Sequence, residues 1–191
     1  MIISIQKEKF LPHVSCHVQF DILPGELLLI RGENGIGKST LAEMIASSYS
    51  EITSLIRQAG LDLFYDRKVS QIKKLYLDAA SNMIELELFH RYWKLFKLDQ
   101  KEDRLQSALS GGEEQMLKIC LGAFLIKEII IFDEPSQSLD TEMKKHLNEL
   151  MSELKRINRS LIVIEHEINW MSEIDKQIKI TIVDNQLKAG I

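Results

Sequence analysis

The residues best suited to chemistry run Gly32-Glu33-Asn34-Gly35-Ile36-Gly37-Lys38-Ser39-Thr40. Their order is G-x-x-x-x-G-K-S, a glycine-rich turn that closes on a lysine and a hydroxyl. Glycines let the backbone bend where other residues resist, so that successive N–H groups point at one anion. A helix beginning at that point adds its own unpaired N–H groups and the positive end of its dipole. Lys38 supplies a full charge for the β- and γ-phosphates of a nucleotide, and the Ser39 hydroxyl is placed to ligate Mg²⁺. A second group is Asp133-Glu134-Pro135. A carboxylate at the end of an apolar strand in a phosphate-loop protein belongs at the metal. A second carboxylate beside it is costly to crowd there unless it orients or activates a water. Two weaker groups are Leu109-Ser110-Gly111-Gly112-Glu113 and Glu165-His166-Glu167. Serine before a glycine pair at a helix start is either an anion site or a routine N-cap. A histidine at the carboxyl end of a parallel strand stands where open α/β sheets hold ligands, although a packed histidine fits there as well.

The elements that must position these groups follow from the apolar pattern. Residues 27–30 are a short, wholly apolar run ahead of the glycine turn, and Leu41 and Ile45 begin a helical pattern after it. That gives strand, turn, helix. Residues 129–132 and 161–164 are two further apolar runs of the kind buried on both faces of a parallel sheet. Val14, Cys16, Val18, Phe20 and Ile22 alternate with polar residues, which predicts a half-buried strand with His17 facing out. A strand is expected within 51–57. Helical spacing is expected from 69 to about 99, with Ile72, Leu75 and Tyr76 on one segment and Met83, Ile84, Leu86, Leu88, Phe89, Tyr92, Trp93 and Phe96 on the next. A helix is expected over 114–126. Another follows Asp140 as its cap, with Met143, Leu147, Leu150, Met151, Leu154 and Ile157 on the buried stripe. Ile178, Ile180 and Ile182 alternate before Asp184-Asn185, which predicts an edge hairpin. Strands alternating with helices imply an α/β domain with a largely parallel central sheet.

Bulk properties narrow the function class. The 191 residues suit one domain with a subdomain, and 45% apolar with 27% charged residues is ordinary for a soluble globular protein. Apolar runs fall far short of a membrane span, and the first residues lack the positive start and long apolar core of a secretory signal. Cys16 and Cys120 stand far apart without a metal or disulfide pattern. The net charge is −4, from 24 basic and 28 acidic residues, and the basic pairs are scattered among acids. This argues against a dedicated nucleic-acid surface. A cytoplasmic location is expected.

Taken together, residues 32–40, 109–113, 129–135, Ser138-Leu139-Asp140 and His166 occur in the order and spacing of the ATP-binding cassette (ABC) ATPases, which the chain resembles over nearly its whole length. The most specific part is Leu-Ser-Gly-Gly ahead of Phe-Asp-Glu-Pro. The resemblance implies a single domain over 1–191, a phosphate-loop fold with a helical subdomain at approximately 60–108 and an antiparallel β-subdomain. It implies ATP and Mg²⁺ as ligands. Glu33, Asn34, Gly35, Gly37, Lys38, Ser39 and Thr40 would hold the phosphates, and Ser39 and Asp133 the metal. Glu134 resembles the base that polarises the attacking water, and His166 the switch histidine at the γ-phosphate. Gln58 resembles a metal-ligating, partner-sensing glutamine, with Gln71 as its rival inside a helical pattern. By position Phe10 is either the aromatic that stacks on adenine or a packed phenylalanine. Ser110, Gly111 and Gly112 would complete the phosphate site of a second subunit in a head-to-tail dimer, with Asp140 at the seam.

Three departures from the family pattern stand out. Only 19 residues separate Lys38 from Gln58, where the family fits an additional hairpin, so a reduced β-subdomain is expected. Glu113 replaces the glutamine common in transporters. Glutamates flank His166, where Thr or Ser and Asp are more usual. Two functional readings follow. The first is the ATPase subunit of a transporter, peripheral on the inner face of the membrane through a separate integral partner, paired with an identical or paralogous cassette. The second is a soluble ABC ATPase in nucleic-acid repair or on ribosomes, against which stands the lack of coiled coils, zinc modules or a tandem cassette. A degenerate binding module is disfavoured because Lys38, Asp133, Glu134 and His166 are all present.

Overall fold

The computed structural model describes residues 1–57, 64–79 and 85–190. Eight strands in these residues form one sheet: β1 (Ile2–Leu11), β2 (Val14–Asp21), β3 (Leu27–Arg31), β4 (Thr53–Ile56), β5 (Ile129–Asp133), β6 (Ser160–Ile164), β7 (Lys176–Val183) and β8 (Gln186–Gly190). Five helices accompany them: α1 (Lys38–Ser48), α2 (Val69–Ala79), α3 (Leu86–Leu95), α4 (Gly111–Ala123) and α5 (Thr141–Arg156). Spatial order in the sheet is β1-β2-β8-β7-β3-β6-β5-β4. From β7 to β4 every pairing is parallel, whereas β1–β2 and β7–β8 are antiparallel.

Strict alternation sorts the central strands onto two cores. Leu27, Leu29, Ile130, Phe132, Leu161 and Val163 face a layer made by α2 to α5. Leu28, Ile30, Ile129, Ile131, Ile162 and Ile164 face α1 and the apolar sides of β1, β2, β7 and β8. Because both faces are covered, these strands read as continuous apolar runs rather than alternating ones. The aromatic residues of α3 pack as the helical spacing requires: Phe89 lies against Tyr76, Trp93 and Phe124 with ring centroids 5.5, 5.3 and 6.0 Å away. No strand intervenes between α1 and β4, in keeping with the short connection after Lys38.

Several local expectations are revised. The β7–β8 hairpin is not at an edge. β7 pairs with β3 and β8 with β2, so the hairpin welds the antiparallel strands to the parallel ones. Those pairings join residues far apart in sequence, which local alternation does not encode. Ile182, close to the end of β7, is 41% exposed, and Ile157, which caps the end of α5, is 38% exposed. Leu75 lies on the outer side of α2 and is exposed, as is Leu86 at the start of α3, while Met83 and Ile84 lie outside the described residues. The helix expected at 114–126 starts earlier, at Gly111. Among the described residues no helix is long and apolar enough to cross a membrane.

Candidate functional site

Three neighbouring strands, β3, β6 and β5, bring the predicted groups together at their carboxyl ends. The chain leaves β3 at Arg31 and turns through the glycine loop into α1. Gly37 has a φ of +99°, a conformation that side chains resist, and a Cβ there would come within 2.5 Å of Phe10 Cε1. Glycine is therefore required on two counts. The helix that follows has no side-chain cap, so the N–H groups of its first turn stay available to an anion.

Lys38 is only 6% exposed and donates to the carbonyl oxygens of Gly32 and Glu33, both at 3.0 Å. Burial pushes its pKa down, and the carboxylates of Glu134 and Asp133 pull it back up. The loop thus holds a buried cation beside two acids. Asp133, at the end of β5, is 4% exposed, and burial above all raises its pKa, with the Ser39 side chain opposing that rise. Its Oδ1 is buried without a hydrogen-bond partner. An orphaned carboxylate oxygen beside a serine hydroxyl fits Mg²⁺, which takes one or two protein oxygens and completes its shell with phosphate and water. Among the described residues no cluster of three or more metal-ligating side chains competes with this assignment.

Glu134 has a φ of 47°, rare for a residue with a side chain and a form of local strain that concentrates at functional sites. Its N–H donates to Ile164 O at 2.9 Å, tying the end of β5 to the end of β6. From there its Oε1 lies 3.5 Å from His166 Nε2. The proton-accepting and phosphate-facing candidates therefore meet, although 32 positions separate them.

The glycine pair of the second motif lies elsewhere. Ser110 caps α4: its hydroxyl accepts the Glu113 N–H at 3.3 Å, and the Glu113 carboxylate accepts the Ser110 N–H at 2.8 Å. Lys101 reaches the same carboxylate at 2.6 Å, and together these donors pull the pKa of Glu113 down to about 2. A Cβ on Gly112 would come within 2.7 Å of the Ser138 carbonyl oxygen, so this glycine lets the loop after β5 lie directly on α4. The cleft in front of the motif, of about 500 Å³, is bordered by Phe96, Lys97, Gln100, Ser110, Gly111 and Ser138, and no phosphate-loop residue lines it.

Phe10 touches the glycine loop at Gly37, but its ring is 7% exposed and belongs to the core around α1. Gln58 lies outside the described residues. Its rival Gln71 accepts the Lys68 N–H at 2.9 Å and serves the start of α2. Asp140 caps α5 by accepting the Met143 N–H at 2.8 Å. Glu165, singled out from sequence only as an unusual neighbour of His166, is 5% exposed and accepts backbone N–H groups from two loops. A charged residue closing a wholly apolar strand was the available sign, since a buried charge must find partners.

Known proteins share this chain's sequence family and its fold. A sequence model of the family described as ABC transporter matches residues 16–137. The chain is 31% identical to the energy-coupling factor transporter ATP-binding protein EcfA1 of Fusobacterium nucleatum, covering 89% of this chain and 72% of that protein. It is 28% identical to the ATP-dependent lipid A-core flippase of Vibrio vulnificus, covering 88% of this chain and 33% of the flippase. It likewise spans only 42% of the length of a relative from Clostridium tetani. Among solved structures, the ATP-binding subunit of an ABC transporter superposes with a TM-score of 0.76 at 19% identity, over 99% of this chain and 88% of that one. A ribosome-bound archaeal Pelota and ABCE1 assembly contains a chain with a TM-score of 0.79 at 21% identity, over 99% of this chain and 33% of that one. The backbone is that of an ABC ATPase cassette, and the chain belongs to the ABC transporter family of ATP-binding proteins.

Proposed function

We propose that this chain is the ATP-binding and ATP-hydrolysing subunit of an ABC transporter, driving a separate membrane-spanning partner by ATP-dependent dimerisation with a second cassette. The observation that carries this reading is the convergence of Lys38, Asp133, Glu134 and His166 at the carboxyl ends of three adjacent strands, with the 3.5 Å Glu134–His166 contact at its centre. The amides of 33–40 and the Lys38 ammonium hold the phosphates. Ser39 and Asp133 hold Mg²⁺, which when bound neutralises charge on the phosphate oxygens. Glu134 accepts a proton from the water that attacks the γ-phosphorus, and His166 donates to the γ-phosphate oxygens and keeps Glu134 oriented. Phe10 stacks on a base only if nucleotide binding frees one face of its ring.

Ser110, Gly111 and Gly112 act on the nucleotide of the other cassette, a reading supported by a cleft that no residue of their own phosphate loop lines. The region of about 60–108, together with Gln58, docks the membrane partner. Exposed Tyr65, Leu75, Leu86 and Leu105 in that region support an apolar docking face. The transport assignment draws on the names of the relatives, an energy-coupling factor transporter protein and a flippase. It places the chain on the cytoplasmic side of the membrane. Replacing Glu134 with Gln removes the proton acceptor while keeping the shape. Hydrolysis should fall by more than about a hundredfold, ATP should still bind, and the ATP-bound dimer should accumulate. Undiminished turnover in that variant removes the assigned mechanism.

A further inference from the structure

We propose that Glu165 is a positioning residue of the hydrolytic site, a buried carboxylate bridge that holds the loops carrying Glu134 and His166 at their working separation. Its Oε1 accepts the His166 N–H at 2.9 Å and the Glu167 N–H at 3.4 Å, while its Oε2 accepts the Ser136 N–H at 3.3 Å. Among the described residues no cation pairs with it. Backbone N–H groups alone carry the compensation that a buried charge demands. The two loops it joins are those that matter: Ser136 follows Glu134 by two residues and His166 follows Glu165 directly. A second tie, Glu134 N–H to Ile164 O at 2.9 Å, runs between the same strand ends. Glu134 and His166 are thus fixed from both sides, and neither can shift without lengthening one of these bonds.

The chemistry of the side chain is specific. Both oxygens must accept, because every group facing them is an N–H. A glutamine offers one acceptor oxygen and one NH₂ donor, so it can serve one loop and must oppose an N–H on the other. A serine or threonine is too short to span both. Unlike Glu134, Glu165 is turned into the protein and is not a candidate for contact with nucleotide.

This inference rests on Glu134 and His166 being the hydrolytic pair, and the test separates the two. Wild type, Glu165→Ala and Glu165→Gln are compared for steady-state ATP hydrolysis, for affinity toward a fluorescent ATP analogue, and for amide hydrogen exchange. A displaced reacting group costs about a hundredfold per ångström. Glu165→Ala should therefore lose about ten- to a hundredfold in kcat, with KM and analogue affinity within about threefold of wild type. Glu165→Gln should fall between the two. Exchange should quicken at the amides of Ser136, His166 and Glu167 and stay unchanged in the phosphate loop. Unchanged exchange at those amides overturns the bridge. So does a kcat within about twofold of wild type in both variants, or a loss of analogue affinity as large as the loss of kcat. Should Glu165→Ala fail to fold, the Gln variant decides by the same readings. A wild type that does not hydrolyse ATP defeats the proposed activity instead, and the exchange comparison still decides the bridge.

Discussion

Two helices of this protein begin beside glycines, and they begin in opposite ways. α1 starts from Gly37 with no side chain over its first turn, so its N–H groups are open to whatever anion the loop encloses. α4 starts from Ser110 with a closed capping box, in which Ser110 and Glu113 satisfy each other and Lys101 neutralises the added carboxylate. An uncapped helix start is ordinarily a defect, worth about 1 kcal/mol. Under the proposed function it is tolerated at α1 because the same N–H groups form half of a phosphate site. α4 has its first turn satisfied by its own side chains, and Gly111 and Gly112 lie against Ser138, beside an open cleft. Under the proposed function, the contrast is between a helix end that holds a ligand within the chain and one that meets a ligand brought by another subunit.

The comparison breaks most severely at Lys38. Lys38→Ala removes the buried ammonium from the α1 site, about 3 kcal/mol for a charge-assisted contact. Affinity for a fluorescent ATP analogue should fall about a hundredfold, and hydrolysis should drop below detection. Gly112→Val attacks the other helix. The new Cβ collides with the Ser138 carbonyl, 2.7 Å away. Turnover should fall by at least about tenfold while analogue affinity stays within about twofold, because the α1 site is untouched. Equal losses in both quantities would show the two helix ends acting on one nucleotide within a single chain.

The smallest effect sharpens the distinction rather than breaking it. Glu113 has its pKa depressed from 4.5 to about 2 by Lys101 and the Ser110 N–H. A carboxylate depressed on folding contributes stability above its ordinary pKa and loses it as pH falls through the folded value. The advantage of wild type over Glu113→Gln, about 1 kcal/mol or less because water screens the pair, should be full at pH 7. It should shrink between about pH 4.5 and pH 2. Thermal unfolding of both proteins across that range measures it, and a gap that persists at pH 2 would mean that packing, not charge, holds the box.

Much of this was legible in the sequence, for physical reasons that also mark where legibility stops. The glycine turn and the apolar runs at 27–30, 129–132 and 161–164 announce themselves because a parallel sheet covered on both faces leaves no polar position. Asp133 could be assigned a place because a carboxylate that closes such an apolar strand stands at the carboxyl end of the sheet, where open α/β sheets hold ligands. The β7–β8 hairpin was misplaced to an edge because its neighbours β2 and β3 lie more than a hundred residues away in sequence. Glu165 is hard to read from sequence because its contacts are three amides contributed by two loops, and Ser138 because its contact with Gly112 is made from a left-handed backbone, φ 62°, that a serine does not advertise. Phe10 is the instructive case: position alone offered two roles, and burial shows the packed one in this conformation.

The central claim is that α1 holds a nucleotide within the chain and α4 meets one across a dimer. The most direct measurement is the molar mass of Glu134→Gln by light scattering, with and without ATP, alone and combined with Gly112→Val. The predicted result is a doubling of mass on adding ATP for Glu134→Gln, and no change for the double variant although it binds the ATP analogue as tightly. A double variant that still doubles its mass, or one that stays monomeric because it no longer binds ATP, would contradict it.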